Sequence, residues 1–143
     1  MSGQAQEKSA QESAQRVYAV MRRLVLEADD RKQRVAEALG MSFSRAKALR
    51  LLAEGPLRMR ELTSRLMTDK PYTTLVVDDL EGRGFVVRSL DPDDRRCKVV
   101  TLTEAGREAA ARATGILTTP PAELAALPPE DLADLDRILG KLH

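Results

Sequence analysis

Residues 59–103 constrain this chain more than any other stretch. They read as two short amphipathic helices around a tight polar break, then two strands around a charged tip. Met59, Leu62 and Leu66 recur three and four apart and share one helix face. Thr68, Asp69 and Lys70 break that pattern. Asp69 is a candidate N-cap for the next helix, and Pro71 in its first turn gives up no bond the helix needs. On that second helix Thr73, Val76, Val77 and Leu80 form the inward stripe. Gly84 suits the left-handed residue that ends it. Residues 85–90 and 97–101 are predicted strands, and the two-residue period puts Lys98, Val100 and Leu102 on one face. The intervening DPDDRR is turn chemistry: proline sets one backbone angle and the aspartates bond their own backbone. Two helices joined this way make a helix-turn-helix, whose second helix is shaped for a major groove. The strand pair is then a wing that carries Arg95 and Arg96 to one side.

With 143 residues, one domain is expected, although chains of this size often complete their core by dimerising. Hydrophobic residues are 43% of the chain and charged residues 31%, which excludes a disordered polypeptide. No run approaches the roughly 18 apolar residues of a membrane span. The opening MSGQAQEKSAQESAQ is polar and has no apolar signal core, so it reads as the frayed start of a cytoplasmic protein. A single cysteine cannot close an internal disulfide, which agrees with a reducing compartment.

The net charge of +1 says little about a polyanionic partner, but the distribution says more. Residues 42–103 hold twelve Lys/Arg against nine Asp/Glu, whereas residues 104–143 hold four against seven. The mild basic excess therefore falls on the segment that would face a groove.

Outside this segment the chain reads as helices. The first starts near residues 7–12 and carries Val17, Val20, Met21, Leu24, Val25 and Ala28 at helical spacing. The charged run of residues 27–32 predicts a kink or loosening before the helix resumes toward Val35, Ala38 and Leu39 and stops at Gly40. Ser42 caps a helix over residues 43–54, with Ala46, Leu49 and Leu52 inward. Leu57 and Arg58 suit a very short strand closing the wing sheet, and Arg58 stands where a Ser or Thr cap would serve the helix at Met59. Thr103 caps a helix from Glu104, which Gly106 and Gly115 weaken slightly. Proline pairs at 120–121 and 128–129 segment the C-terminal arm. Its last helix bears Leu132, Leu135, Ile138, Leu139 and Leu142 in a strong stripe.

The run Leu80-Glu81-Gly82-Arg83-Gly84-Phe85-Val86, then Asp94-Arg95-Arg96, then Val100-Thr101-Leu102-Thr103, resembles the MarR family of winged-helix transcriptional regulators. The family's wing signature is Asp, any residue, Arg, three residues, Val, any residue, Leu, Thr, and the chain matches it without a gap. The looser resemblance runs from about Ser13 to the C-terminus. It implies a mainly α (α+β) single domain, a winged helix-turn-helix core at 42–103, and dimerisation helices at 10–40 and 104–143. It also implies a homodimer on a pseudopalindromic operator, most often repressing, with no enzymatic activity and no cofactor.

By position the resemblance assigns Pro71, Tyr72, Thr74 and Leu75 to the groove-facing half of the recognition helix. Tyr72 and Thr74 can hydrogen-bond bases or phosphates, whereas Leu75 can make only apolar contact, for example with a thymine methyl. Lys70 and the helix N-terminus suit phosphate. Arg96 is the candidate for minor-groove insertion, Asp94 orients it or steadies the turn, and Arg95 and Lys98 serve phosphates. Arg58 is a further DNA-binding candidate, though most surface arginines are just surface. Leu75 and Asp79 depart from the basic or polar residues many relatives carry there. The family often binds small phenolic or aromatic acids beside the dimer region, which makes Met21, Arg22, Leu24 and Val25 candidates to line such a crevice.

Plainer readings stand beside these. Tyr72 and Leu75 can cover a protein contact, in which case the wing is a protein-interaction module that binds no specific DNA. The charged tip can be merely solvated, and Met21, Leu24 and Val25 can be core. Cys97 lies beside two arginines, which lower a thiol pKa, but reads as structural. His143 has no Cys or His partner, so no metal site is expected.

Overall fold

The computed structural model describes residues 2–27 and 30–143. They fall into two compact units, residues 30–118 and the two ends of the chain.

The first unit carries the winged helix. Helices α2 (Arg31–Leu39), α3 (Phe43–Leu52), α4 (Met59–Arg65), α5 (Lys70–Gly82) and α6 (Glu104–Leu117) surround a three-stranded antiparallel sheet. Its strands are β1 (Leu57–Arg58), β2 (Val86–Leu90) and β3 (Lys98–Leu102), in the order β1-β3-β2. The register pairs Val86 with Leu102, Leu90 with Lys98, and Leu57 with Val100. Strand β2 starts one residue later than periodicity predicts, because Phe85 completes the helix-ending turn with its N–H on Leu80 O, and β3 is shifted by one residue at both ends. Leu49, Leu62, Val76, Val77, Leu80, Val86 and Val100 are fully buried in one core, with Leu102 and Met41 at its margin. Lys98 shares their alternation but sits exposed at the outer end of β3.

Helix ends are set by local chemistry. Gly40 is left-handed (φ 64°), and Met41 N–H closes back on Ala36 O at 3.1 Å. Ser42 Oγ accepts from the Arg45 N–H, and Asp69 Oδ1 accepts from the Tyr72 N–H at 2.8 Å. The turn between α4 and α5 also has a left-handed residue, Met67 (φ 56°), with Thr68 N–H on Thr63 O. A side chain there costs about 1 kcal/mol or more that glycine would avoid. Leu66 ends α4 as its C-cap instead of lying inside it. Across this turn the buried Thr73 hydroxyl lies 2.8 Å from Thr63 Oγ1 and 3.0 Å from Asp69 O, which pins α5 to α4.

The wing is hung from α6 by a close approach. Thr103 donates its N–H to Phe85 O and its hydroxyl to Gly84 O, and accepts from the Gly106 N–H. A Cβ on Gly106 would sit inside van der Waals contact with Phe85 O and 3.1 Å from Leu102 Cδ2. Gly106 is therefore a packing requirement and not merely a weak helix former.

The second unit comprises α1 (Ser2–Arg22), a π-helical turn over Arg23–Glu27, α7 (Ala122–Ala125) and α8 (Pro129–Leu139). The opening polar stretch is helical from Ser2 and not frayed: its Gln, Ala, Glu and Lys residues favour helix without needing a core. The π turn leads into the charged run of residues 27–32 where loosening is expected, and residues 28 and 29 of that run lie outside the described residues. Arg23 holds Glu123 through two bonds of 3.2 and 3.0 Å. No residue of α1 or α8 is buried, and Val17, Tyr18, Val20, Ile138, Leu139 and Leu142 are exposed. Among the described residues no helix is long and apolar enough to cross a membrane.

Gly106→Ala should destabilise the protein by about 3 kcal/mol, the upper end for overpacking a rigid contact. A urea-unfolding midpoint unchanged from wild type would contradict the close approach.

Candidate nucleic-acid interface

Helix α5 sorts its residues by the 3.6-residue turn. Thr73, Val76, Val77 and Leu80 face the core. Pro71, Leu75 and Asp78 lie on the opposite face. Lys70, Thr74 and Glu81 border it toward the wing, where Glu81 meets Arg88 of β2. Tyr72 and Asp79 border it toward α3, where Asp79 meets Arg45.

Between α5 and the wing runs a cleft of about 560 Å³. It is lined by Arg58, Met59, Arg60, Thr63, Lys70, Thr74, Arg88, Arg96, Cys97 and Lys98, so six of its ten residues are cationic and none is acidic. Such a concave cationic face concentrates positive potential where an anion would enter.

Carboxylates behind the cleft hold half of these cations. Arg88 reaches from β2 to Asp78 Oδ1 at 2.6 Å and Glu81 Oε1 at 3.1 Å, and its N–H also donates to Glu81. Arg88 holds the Glu81 carboxyl below the usual carboxylate range. Arg58 Nε meets Asp91 Oδ2 at 2.6 Å, and Asp91 is buried beneath the wing loop. The Asp93 N–H, on Asp91 Oδ1 at 2.9 Å, and then Arg58 lower the Asp91 pKa. At the tip Arg96 makes two bonds to Asp94, at 3.0 and 3.2 Å, yet its side chain is 90% exposed. The bond from Arg96 is the main reason Asp94 stays ionised to lower pH, and the Cys97 thiol adds a weaker contact at 3.6 Å. Arg60, Lys70, Arg95 and Lys98 make no ion pair among the described residues.

Residues 43–98, which include both helices of the turn and the wing up to β3, match the family model described as the MarR family. The chain's winged-helix segment is of the MarR family. Its first 98-residue match to a curated relative is 33% identical to the uncharacterised HTH-type transcriptional regulator YkoM of Bacillus subtilis, over 68% of this chain and 64% of the relative. This match, like those to two further HTH-type regulators of that organism, spans less than two thirds of the relative's length. Among solved structures, the transcriptional regulator BldR from Sulfolobus solfataricus superposes with a TM-score of 0.61 at 26% identity, covering 93% of this chain and 96% of that one. CouR from Rhodococcus jostii RHA1, bound to p-coumaroyl-CoA, gives 0.60 at 26% identity, covering 76% and 78%.

Within this MarR-family segment, five of the residues singled out from sequence line one cleft: Arg58, Lys70, Thr74, Arg96 and Lys98. Pro71 and Leu75 lie on the outer face of α5, Tyr72 packs partly against the core, and Arg95 is exposed at the tip. Asp94 Oδ1 accepts from both the backbone N–H and the guanidinium of Arg96. Arg58 is different. Its guanidinium is committed to Asp91, so it braces the wing base, and its helix start is served by Glu61 Oε1, which accepts the Arg58 N–H at 3.1 Å. Met21, Arg22, Leu24 and Val25 belong to the other unit, where Met21 and Leu24 are half-buried and Arg22 lies over the Tyr18 ring. Sequence reasoning missed Arg88. Its signal was the alternation that puts it on the Val86 face of β2, turned toward the acidic end of α5.

Asp91 gives a pH test with a definite sign. Its folded pKa lies below the ordinary 3.8, so its contribution is present above that value and is lost as pH falls through the folded one. Asp91→Asn should melt below wild type at pH 7, and that gap should shrink as pH drops under 4. A gap constant from pH 7 to 3 would remove Asp91 from the wing's support.

Proposed function

We propose that this protein is a DNA-binding transcriptional regulator that represses as a homodimer on a pseudopalindromic operator and works in the cytoplasm. The observation that carries the reading is the acid-free cationic cleft between α5 and the wing. Helix α5 enters the major groove with Lys70, Pro71, Thr74 and Leu75 foremost. The α5 N-terminus, Lys70, Arg60 and Lys98 hold phosphate, and Arg95 and Arg96 reach along the wing toward the minor groove.

The unpartnered apolar faces of α1 and α8 support assembly. Val17, Val20, Ile138, Leu139 and Leu142 find no burial within one chain, and a second copy offers the same surface in return. The dimer then sets two recognition helices about 34 Å apart, one DNA turn. An effector favouring a different spacing releases the operator. The p-coumaroyl-CoA bound by CouR supports a small aromatic ligand, for which Met21, Arg22, Leu24 and Val25 are the candidate lining.

Fluorescence anisotropy with duplexes tests the reading. Wild type should bind with an affinity that falls steeply with salt. Arg96→Ala should weaken binding and make the salt slope shallower by about one unit for each wing engaged. Salt-independent or absent binding would favour a winged helix used against proteins.

Assembly has its own test. Ile138→Asp combined with Leu142→Asp should leave a folded monomer by light scattering and circular dichroism. A dimer of unchanged mass would refute the α8 interface.

A further inference from the structure

The outer face of α5 holds few groups that read a base. A guanine is read in the major groove by donors placed on its O6 and N7, most often from arginine or lysine. Residues 70–82 contain a single cation, Lys70, at the first position, where charge and free helix N–H groups suit a phosphate. The arginines nearest the other border, Arg45 and Arg83, are both held by Asp79, at 2.8 and 2.9 Å. Asp78 can only accept, and Arg88 holds its Oδ1. Thr74 donates its hydroxyl proton to Lys70 O at 3.0 Å, which leaves Oγ1 presenting lone pairs outward. Beside it stands Leu75, 56% exposed on a face otherwise polar or proline.

An exposed leucine next to a hydroxyl acceptor matches one pattern of groups in the major groove. Thymine alone carries a methyl there, and its partner adenine presents the N6 amino group as a donor. We infer that α5 selects an A·T pair in each half-site, with Leu75 against the thymine methyl and Thr74 Oγ1 accepting from adenine N6, and that it reads no guanine. This rests on the reading that the protein binds duplex DNA. It deepens that reading by assigning the base chemistry and the residue that sets it.

Modified bases test this one atom group at a time. Duplexes selected by the full-length protein from a random library at low salt supply the probe. The selected duplex is then remade with uracil for thymine, which removes only the methyl, and separately with 7-deazaguanine, which removes only N7. Burying one methyl is worth about four-fold in affinity, so two half-sites give about fifteen-fold. Wild type should lose roughly that factor on the uracil duplex and stay within two-fold on the 7-deazaguanine duplex. Leu75→Ala, a surface change that should leave the fold intact by circular dichroism, should bind thymine and uracil duplexes equally.

Equal wild-type affinity for thymine and uracil duplexes overturns the inference. So does a larger loss with 7-deazaguanine, which would hand readout to Lys70. An equal uracil penalty in wild type and Leu75→Ala overturns it as well, by assigning the effect to DNA shape. All three leave DNA binding standing. Failure to select any duplex overturns the inference and the DNA-binding reading together.

Discussion

The Arg88 guanidinium, bridging Asp78 and Glu81 of α5 from strand β2, is the interaction on which the rest of this face depends. It does two things at once. It fixes the wing's root to the recognition helix, so that the two walls of the cleft keep their spacing. It also offsets one of the two carboxylate charges that would otherwise repel a polyanion from the end of α5. Without it the cleft would keep most of its cations but lose the arrangement that lets them act together.

The cations of this surface divide by what holds them. Arg58 and Arg88 are largely shielded, and each is tied to a carboxylate at 2.6 Å, so their partners are not easily exchanged. Removing Arg58 would strand the buried Asp91, which costs far more than that pair itself returns, whereas Asp78 is half exposed and would turn to water. Arg96 is also paired, but in full contact with water, where an ion pair is worth between nothing and about 1 kcal/mol. Its bond to Asp94 can yield to a phosphate or a groove at little expense. The wing therefore has a fixed root and an available tip, though the same side-chain type serves both.

Much of this was legible in the sequence, and the reasons differ from residue to residue. Asp69, Ser42 and Thr103 could be read as caps because capping is local chemistry, with donor and acceptor three residues apart. The α5 stripe and the wing alternation followed from period alone. Long-range pairing did not. Nothing local to Arg58 says that its partner is Asp91, thirty-odd positions on, and so it was read only as a candidate DNA contact. Gly106 looked like a helix weakness because the carbonyl it accommodates, Phe85 O, comes from another element. Met67 escaped notice because glycine is the usual residue at a left-handed turn, and only the backbone reveals that methionine occupies it here.

In the proposed homodimer the two ends of the chain act through mass action. Helices α1 and α8 bury nothing by themselves, so isolated segments of this length have little to hold them beyond propensity. If a second copy covers their apolar faces, subunit pairing and helix order become one equilibrium, dependent on protein concentration. One winged helix offers a few phosphate contacts and one apolar probe, a modest affinity at physiological salt. Joining two multiplies those contacts without changing either, provided the spacing matches the duplex. In the proposed homodimer, spacing is then what separates a pair that grips DNA from two subunits that each bind weakly.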